Sequence, residues 1–467
     1  MNRAEVQINA WIGGAEEGAR GLPSDEIEQW AIRGVDTLRP HQVLFAESPP
    51  KLEHWEEVGW GIILPDIEAD GEADRKRKAN AEDAPPAIQR LLAARREVVP
   101  DCPVLRYRPD LGSAYFMLYE ADGTARKIAT AGGEVGAGKR RLPRYLLIVG
   151  SPSEIPWRVQ YVLNGTHFVG RLDLPELGLD RYVAALLDNW SASPASRRSV
   201  LIWTVDHGQP DITWDMRYTL AEPLRSNFAH DPDVTPAHLA ADEASCDALT
   251  ESLEGHPGLI VTTSHGATFV DGDPAYLRET LGLPVDQNYE VLRTDQLSNW
   301  SPDGAIWYAH ACCSAGADSS TLYGGIAKQG SDVDKAVTGV TVAGSCTAPL
   351  PRDLLGREHP LRAFVGHVEP TFNWTLKNPE NAEPMTSDLR GALYDGLFQE
   401  HGEPIGMAMH RHYATIGTFW SVWYAQQGSI NRGVAAARER ALVARLAALD
   451  RQSMVILGDP TVTVQQD

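Results

Sequence analysis

From residue 145 onward, short and nearly continuous apolar runs recur, each ending in Gly, Ser or a polar turn: 145–149, 200–205, 259–262, 305–309 and 337–343. Between them lie stretches with helical spacing at 181–187, 239–253 and 321–327, and the chain closes with a helix over 431–449 and a strand at 454–457. Strands that are apolar on both faces and alternate with helices predict a mostly parallel sheet covered on both sides, an α/β sandwich. Functional groups in such sheets collect where the strands end.

The first 65 or so residues carry no comparable rhythm. At 66–86 the composition turns almost wholly to charged residues, Ala and Pro, with the basic cluster Arg75-Lys76-Arg77-Lys78 inside acidic flanks. So little apolar surface predicts a solvated linker, followed by a short helix over 88–96. A second predicted loop, 131–141, is Gly-rich and ends in Lys139-Arg140-Arg141. It lacks the terminal Lys-Ser/Thr and the preceding strand of a phosphate-binding loop.

Composition narrows the function classes. Hydrophobic residues make up 43% of the 467 and charged residues 22%, as expected of a globular protein. No apolar run approaches the ~18 residues of a membrane span, and the N-terminus lacks the basic-then-apolar order of an export signal. The net charge of −21 disfavours nucleic acid as a partner and suits basic peptides. The five cysteines are an odd number without a Cys-x-x-Cys pair. They indicate neither a disulfide framework nor a cysteine zinc site, and they fit a reducing cytoplasm.

Two strand ends carry candidate chemistry. The run 258–264 leads into His265-Gly266, and 305–311 leads into Cys312-Cys313-Ser314-Ala315-Gly316. A thiol needs a base to become a thiolate, and a histidine on a neighbouring strand tip supplies one. Gly266 admits a peptide backbone, and its N–H together with that of the cysteine loop offers an oxyanion hole. Read singly, either residue is more simply a structural thiol or a backbone-bonded histidine; the pair at two strand ends favours catalysis. His207, in Asp206-His207-Gly208, also ends a strand and is a rival base, whereas His310, two residues before Cys312, reads as structural.

His-Gly after one apolar strand and Ala-Cys after the next resemble the dyad of the caspase–legumain–gingipain clan of cysteine peptidases. Residues 146–156 resemble the "LLVGD…IP" strand-turn of its gingipain-type family, Val169-Gly170-Arg171-Leu172 its "VGRL", and Gly458-Asp459-Pro460-Thr461 its "GDPS". All occur in the family's order between residues 100 and 467; Ser151 departs from the family's Asp. The resemblance implies a caspase-like three-layer α/β/α sandwich of two packed subdomains, divided as 1–95 (N-terminal region with the charged linker), 96–198 and a catalytic 199–467. It implies a cysteine endopeptidase acting on proteins or peptides, with His265 and Cys312 catalytic and no metal or organic cofactor. An "ACYGAG"-like form favours Cys312 over Cys313, and the strand order favours His265 over His207. The strand at 337–346 is expected to wall the pocket for the substrate residue before the cut (P1). Glu154, Asp318 and Glu369 are candidate carboxylates for binding Arg or Lys there. With that preference, Arg75–Lys78 and Lys139–Arg141 become candidate self-cleavage sites. Two other implications stand beside this one: a CHAT-type effector of a prokaryotic defence system, switched on by a protein partner, and a catalytically silent peptide binder.

Overall fold

The computed structural model describes residues 8, 10–11, 51–68, 71–109, 117–128, 135–137, 141–268, 273–398 and 402–464. Among the described residues, twelve strands form one sheet: β1 (Trp60–Pro65), β2 (Val104–Tyr107), β3 (Met117–Tyr119), β4 (Ala125–Lys127), β5 (Tyr145–Val149), β6 (Phe168–Leu172), β7 (Ser196–Thr204), β8 (Thr235–Ala240), β9 (Pro257–Thr263), β10 (Ile306–His310), β11 (Ala363–His367) and β12 (Met454–Gly458). Their order across the sheet is β4-β3-β2-β1-β5-β6-β12-β11-β10-β9-β7-β8. The run from β2 to β12 is parallel, as is the run from β11 to β8, and the two meet at the antiparallel β11–β12 pair.

Alternation along the strands shows the layers. In β1 and β5, Ile62, Leu64, Leu147 and Val149 face a core built with Ile88, Leu91, Leu179 and Val183 of the helices Pro86–Val98 and Glu176–Leu187. Their neighbours Ile63, Leu146 and Ile148 face the other way, onto Val159 and Leu163 of the helix Trp157–Asn164. The sheet is therefore buried on both faces, the α/β/α sandwich expected from its continuous apolar runs.

Several expectations are corrected. The charged segment is not simply a linker: Glu72–Ala79 is a helix, with acids in its first turn and Lys76, Arg77 and Lys78 in its last. That order of charge complements the helix dipole, and Ala, Lys and Arg are good helix formers, so the element needs no apolar face. Lys78 is buried, pairing with Asp66 at 2.5 Å and donating to the Ile67 carbonyl at 2.9 Å. A division at residue 95 cuts the helix Pro86–Val98, and β1 lies inside the sheet between β2 and β5. The expected strand over 337–343 is the end of a helix, Asp332–Gly339, plus a 3₁₀ turn, Val340–Ala343. Residues 321–327 form turns; 239–253 splits into the end of β8 and the helix Cys246–Leu253; the last helices are Ile416–Asn431 and Ala437–Ser453. Most of the 131–141 loop, with Lys139 and Arg140, lies outside the described residues.

Candidate active site

Register brings the chemistry to one sheet edge. Thr204, Thr263 and His310 are partners across β7, β9 and β10, so the chain leaves all three strands side by side. The loop after β7 carries Asp206, His207 and Asp211; His265 follows β9; Cys312 and Cys313 follow β10; Glu369 and Thr371 follow β11.

His265 is buried, and its Nε2 lies 3.0 Å and 3.1 Å from the two carboxylate oxygens of Asp211. Among the described residues, its Nδ1 is buried without a hydrogen-bond partner. An ionised carboxylate accepts only, so it selects the tautomer with the proton on Nε2 and leaves the Nδ1 lone pair free. Burial alone raises the Asp211 pKa. The adjacent His265, together with the Thr213 hydroxyl (2.6 Å) and amide (2.9 Å), outweighs that and holds the carboxyl well below the usual range. Asp211 was not singled out in the sequence. Its only signal is its position a few residues beyond a strand end that proves to be adjacent to the strand of His265.

The rival histidine stands beside the first. The His207 ring stacks on Tyr289 at 4.1 Å and lies nearly parallel to His265, 5.7 Å away. Its Nδ1 is 4.0 Å from Asp211 Oδ1. Burial, then the proximity of His265, lowers its pKa. The ligand atoms of His207, Asp211 and His265 all lie within 4.8 Å of one another, a grouping able to hold a metal ion. His310 is buried, within 2.8 Å of the Tyr308 hydroxyl and edge-on to His367, away from this cluster's hydrogen bonds.

The cysteine loop is wedged against glycines. An ideal Cβ on Gly266 would fall 2.0 Å from the Cys312 carbonyl oxygen, so His265-Gly266 and Cys312 are in direct main-chain contact. Gly282, at φ +68°, abuts the Cys313 carbonyl in the same way. Gly266 is itself strand-paired to Ala10 on one side and Pro284 on the other. Both thiols are fully buried. Cys312 Sγ accepts from the Thr371 amide at 3.2 Å, yet burial outweighs this and pushes its pKa up; burial, then Cys312 and Glu369, does the same to Cys313.

The three candidate pocket acids differ. Glu369 is buried, accepting from Thr321 Oγ1 (2.7 Å) and the Leu322 amide (3.0 Å), and burial raises its pKa to about 7. Asp318 adds to that rise, and the Glu369 charge in turn raises the pKa values of Tyr161 and Cys313. Asp318 is half-buried and accepts from Ser345 Oγ at 2.6 Å. Glu154 is exposed and caps its own turn through the Ser151 amide (2.8 Å) and hydroxyl (2.7 Å). The Arg171 guanidinium feels both Glu154 and Asp318.

A structure described as a protease is similar at a TM-score of 0.45 with 11% identity, covering 87% of this chain and 78% of the other. The Arg-specific cysteine proteinase gingipain R (RgpB) is similar at 0.41 with 11% identity, covering 88% and 79%. A complex of the pro- and mature domains of RgpB from Porphyromonas gingivalis is similar at 0.40 with 12% identity, covering 87% and 79%. No protein-family model and no curated protein matches the chain. Among the described residues, no helix is long and apolar enough to cross a membrane.

Proposed function

We propose that the chain is a cysteine endopeptidase of the cytoplasm, with His265 as base and Cys312 as nucleophile. The observation that carries this reading is the orientation of His265: Nε2 is held by Asp211, Nδ1 is left as an acceptor, and the next residue packs on the Cys312 peptide. In the reaction, Nδ1 takes the Sγ proton, and the thiolate attacks the scissile carbonyl of a protein or peptide substrate. The N–H groups of Gly266 and the cysteine loop receive the oxyanion. The imidazolium then protonates the leaving amine, and water, deprotonated by the same nitrogen, releases the acyl group. Asp211 acts through His265, fixing its tautomer and stabilising its charged form. Asp318 and Glu369, neighbours beside the cysteine loop, support a preference for Arg or Lys at P1; Glu154, engaged in its own turn, supports it least.

The burial of both thiols favours a second reading, in which the chain is at rest. A protein partner then has to open the cysteine loop before the thiol meets substrate, or the scaffold binds peptides without cutting them. A peptide-library cleavage profile of the wild type beside Cys312→Ala and Cys313→Ala decides among these. Cleavage after Arg or Lys that only Cys312→Ala abolishes is the expected result. Cleavage lost only in Cys313→Ala moves the nucleophile, cleavage after Asp overturns the P1 assignment, and no cleavage with or without candidate partners leaves the binder.

A further inference from the structure

The proposed reaction uses one histidine of the pair at the ends of β7 and β9 and leaves His207 without a task. His207 has the surroundings of a ligand. Its side chain is 3% exposed, and its Nδ1 is turned to the carboxylate that holds His265. Tyr289 fixes its ring plane by stacking, and the main chain of Asp286 and Gln287 lies beside the ring. The loop that carries it is tied down. The His207 amide donates to Thr213 Oγ1 at 3.0 Å, Asp206 pairs with Arg217 at 2.9 Å, and Gln287 bonds the Asp206 main chain through both ends of its amide at 2.8 Å.

We infer that His207, Asp211 and His265 form a regulatory site for a divalent transition metal ion of the zinc class, and that filling it silences the peptidase. The donor set, two imidazoles and one carboxylate, suits zinc, with a fourth position left for water. Bond lengths near 2.0–2.2 Å require donor atoms roughly 3.3 Å apart. The present separations from Asp211 Oδ1, 3.1 Å to His265 Nε2 and 4.0 Å to His207 Nδ1, bracket that value. Asp211 retains 20% exposure, giving the ion a way in.

The silencing follows from the tautomer. A metal ion on Nε2 displaces the proton from that nitrogen, and a neutral imidazole then carries its proton on Nδ1. The nitrogen that accepts the thiol proton becomes a donor, and Asp211 is bound to the ion rather than to the ring. No bond of the substrate and no redox change is involved. The silencing rests on the dyad reading; the metal site does not, and the test separates the two.

The full chain, stripped of metal with a chelator and desalted, would be titrated with zinc chloride by calorimetry and, in parallel, assayed for peptide cleavage. The wild type should bind one ion. His207→Phe, which keeps the stack on Tyr289, should weaken binding at least tenfold, keep its metal-free activity and need at least tenfold more zinc for inhibition. Cys312→Ala should bind zinc as the wild type does. Unchanged affinity in His207→Phe, or loss of binding in Cys312→Ala, would overturn the site, the latter placing the ion on the cysteine. Zinc held through His207 by a chain that never cleaves peptides would keep the site and remove the peptidase.

Discussion

Replacing Gly266 with alanine probes the contact on which the site is built. The added methyl would lie 2.0 Å from the Cys312 carbonyl oxygen, 2.9 Å from its carbon and 3.0 Å from its nitrogen, where ordinary contact begins at 3.4 Å. All three are main-chain atoms, so no side chain can swing away; relief needs a backbone shift of about 1 Å or more. The strand of Gly266 is held on both sides, by Ala10 and Pro284, so the shift falls on the cysteine loop. That loop is fixed by the Ala315 amide on the His367 carbonyl (2.8 Å) and the Gly316 amide on the Cys313 carbonyl (3.1 Å). Overpacking of a rigid core costs about 1–3 kcal/mol, and a clash confined to backbone belongs at the upper end. Displacing a nucleophile by about 1 Å costs on the order of 10²-fold in rate. Gly208→Ala is the control: Gly208 has φ +78° but nothing within 4 Å of an added methyl, so only backbone strain of roughly 1–2 kcal/mol applies. Urea unfolding and peptide cleavage of both variants give the comparison. Gly266→Ala with wild-type stability and wild-type rate would refute the packing argument.

Asp211→Asn should lower kcat by roughly 10²–10⁴-fold with little change in KM, because the amide no longer enforces the Nε2–H tautomer or stabilises the imidazolium. Steady-state kinetics on a fluorogenic peptide reads this, and an unchanged kcat would remove Asp211 from the mechanism. Glu369 has a folded-state pKa raised from 4.5 to about 7. Its stabilising effect is therefore full below pH 4.5 and is lost as the pH rises through 7, by about 3 kcal/mol in all. Glu369→Gln should flatten the fall in unfolding free energy between pH 4.5 and 7, and an unaltered slope would show that the carboxyl titrates normally. Arg75–Lys78, on a helix with Lys78 buried against Asp66, should resist self-cleavage in the folded chain, so mass spectrometry after activation should find no cut there.

What could be read in advance follows from what each element depends on. β5, β9 and β10 are buried at every position and each is built on a continuous apolar run, and such runs have few other uses in a chain with these turns. Their ends located His265 and Cys312. The run at 337–343 misled because β-branched residues dominate it, although Val333, Ala336, Val337 and Val340 keep a helical spacing. Ser331 caps that helix by accepting from the Asp334 amide at 3.3 Å, a signal lying before the run rather than in it. The helix Glu72–Ala79 has no apolar stripe to mark it in the sequence; the order of charge along its axis supports it instead. Asp211 was invisible for a different reason. Its partner is 54 residues away in sequence, and only the pairing of β7 with β9 brings the two together.

The central claim, a thiol at Cys312 served by His265, is tested most directly by covalent labelling. The chain would be treated with a peptidyl acyloxymethyl ketone carrying Arg at P1, and the adduct located by peptide mass spectrometry in the wild type, His265→Ala, His207→Phe and Cys312→Ala. The account predicts one adduct, on Cys312, that persists in His207→Phe and is lost in His265→Ala and Cys312→Ala. Labelling on Cys313, or labelling of Cys312 that proceeds at the same rate without His265, would contradict it.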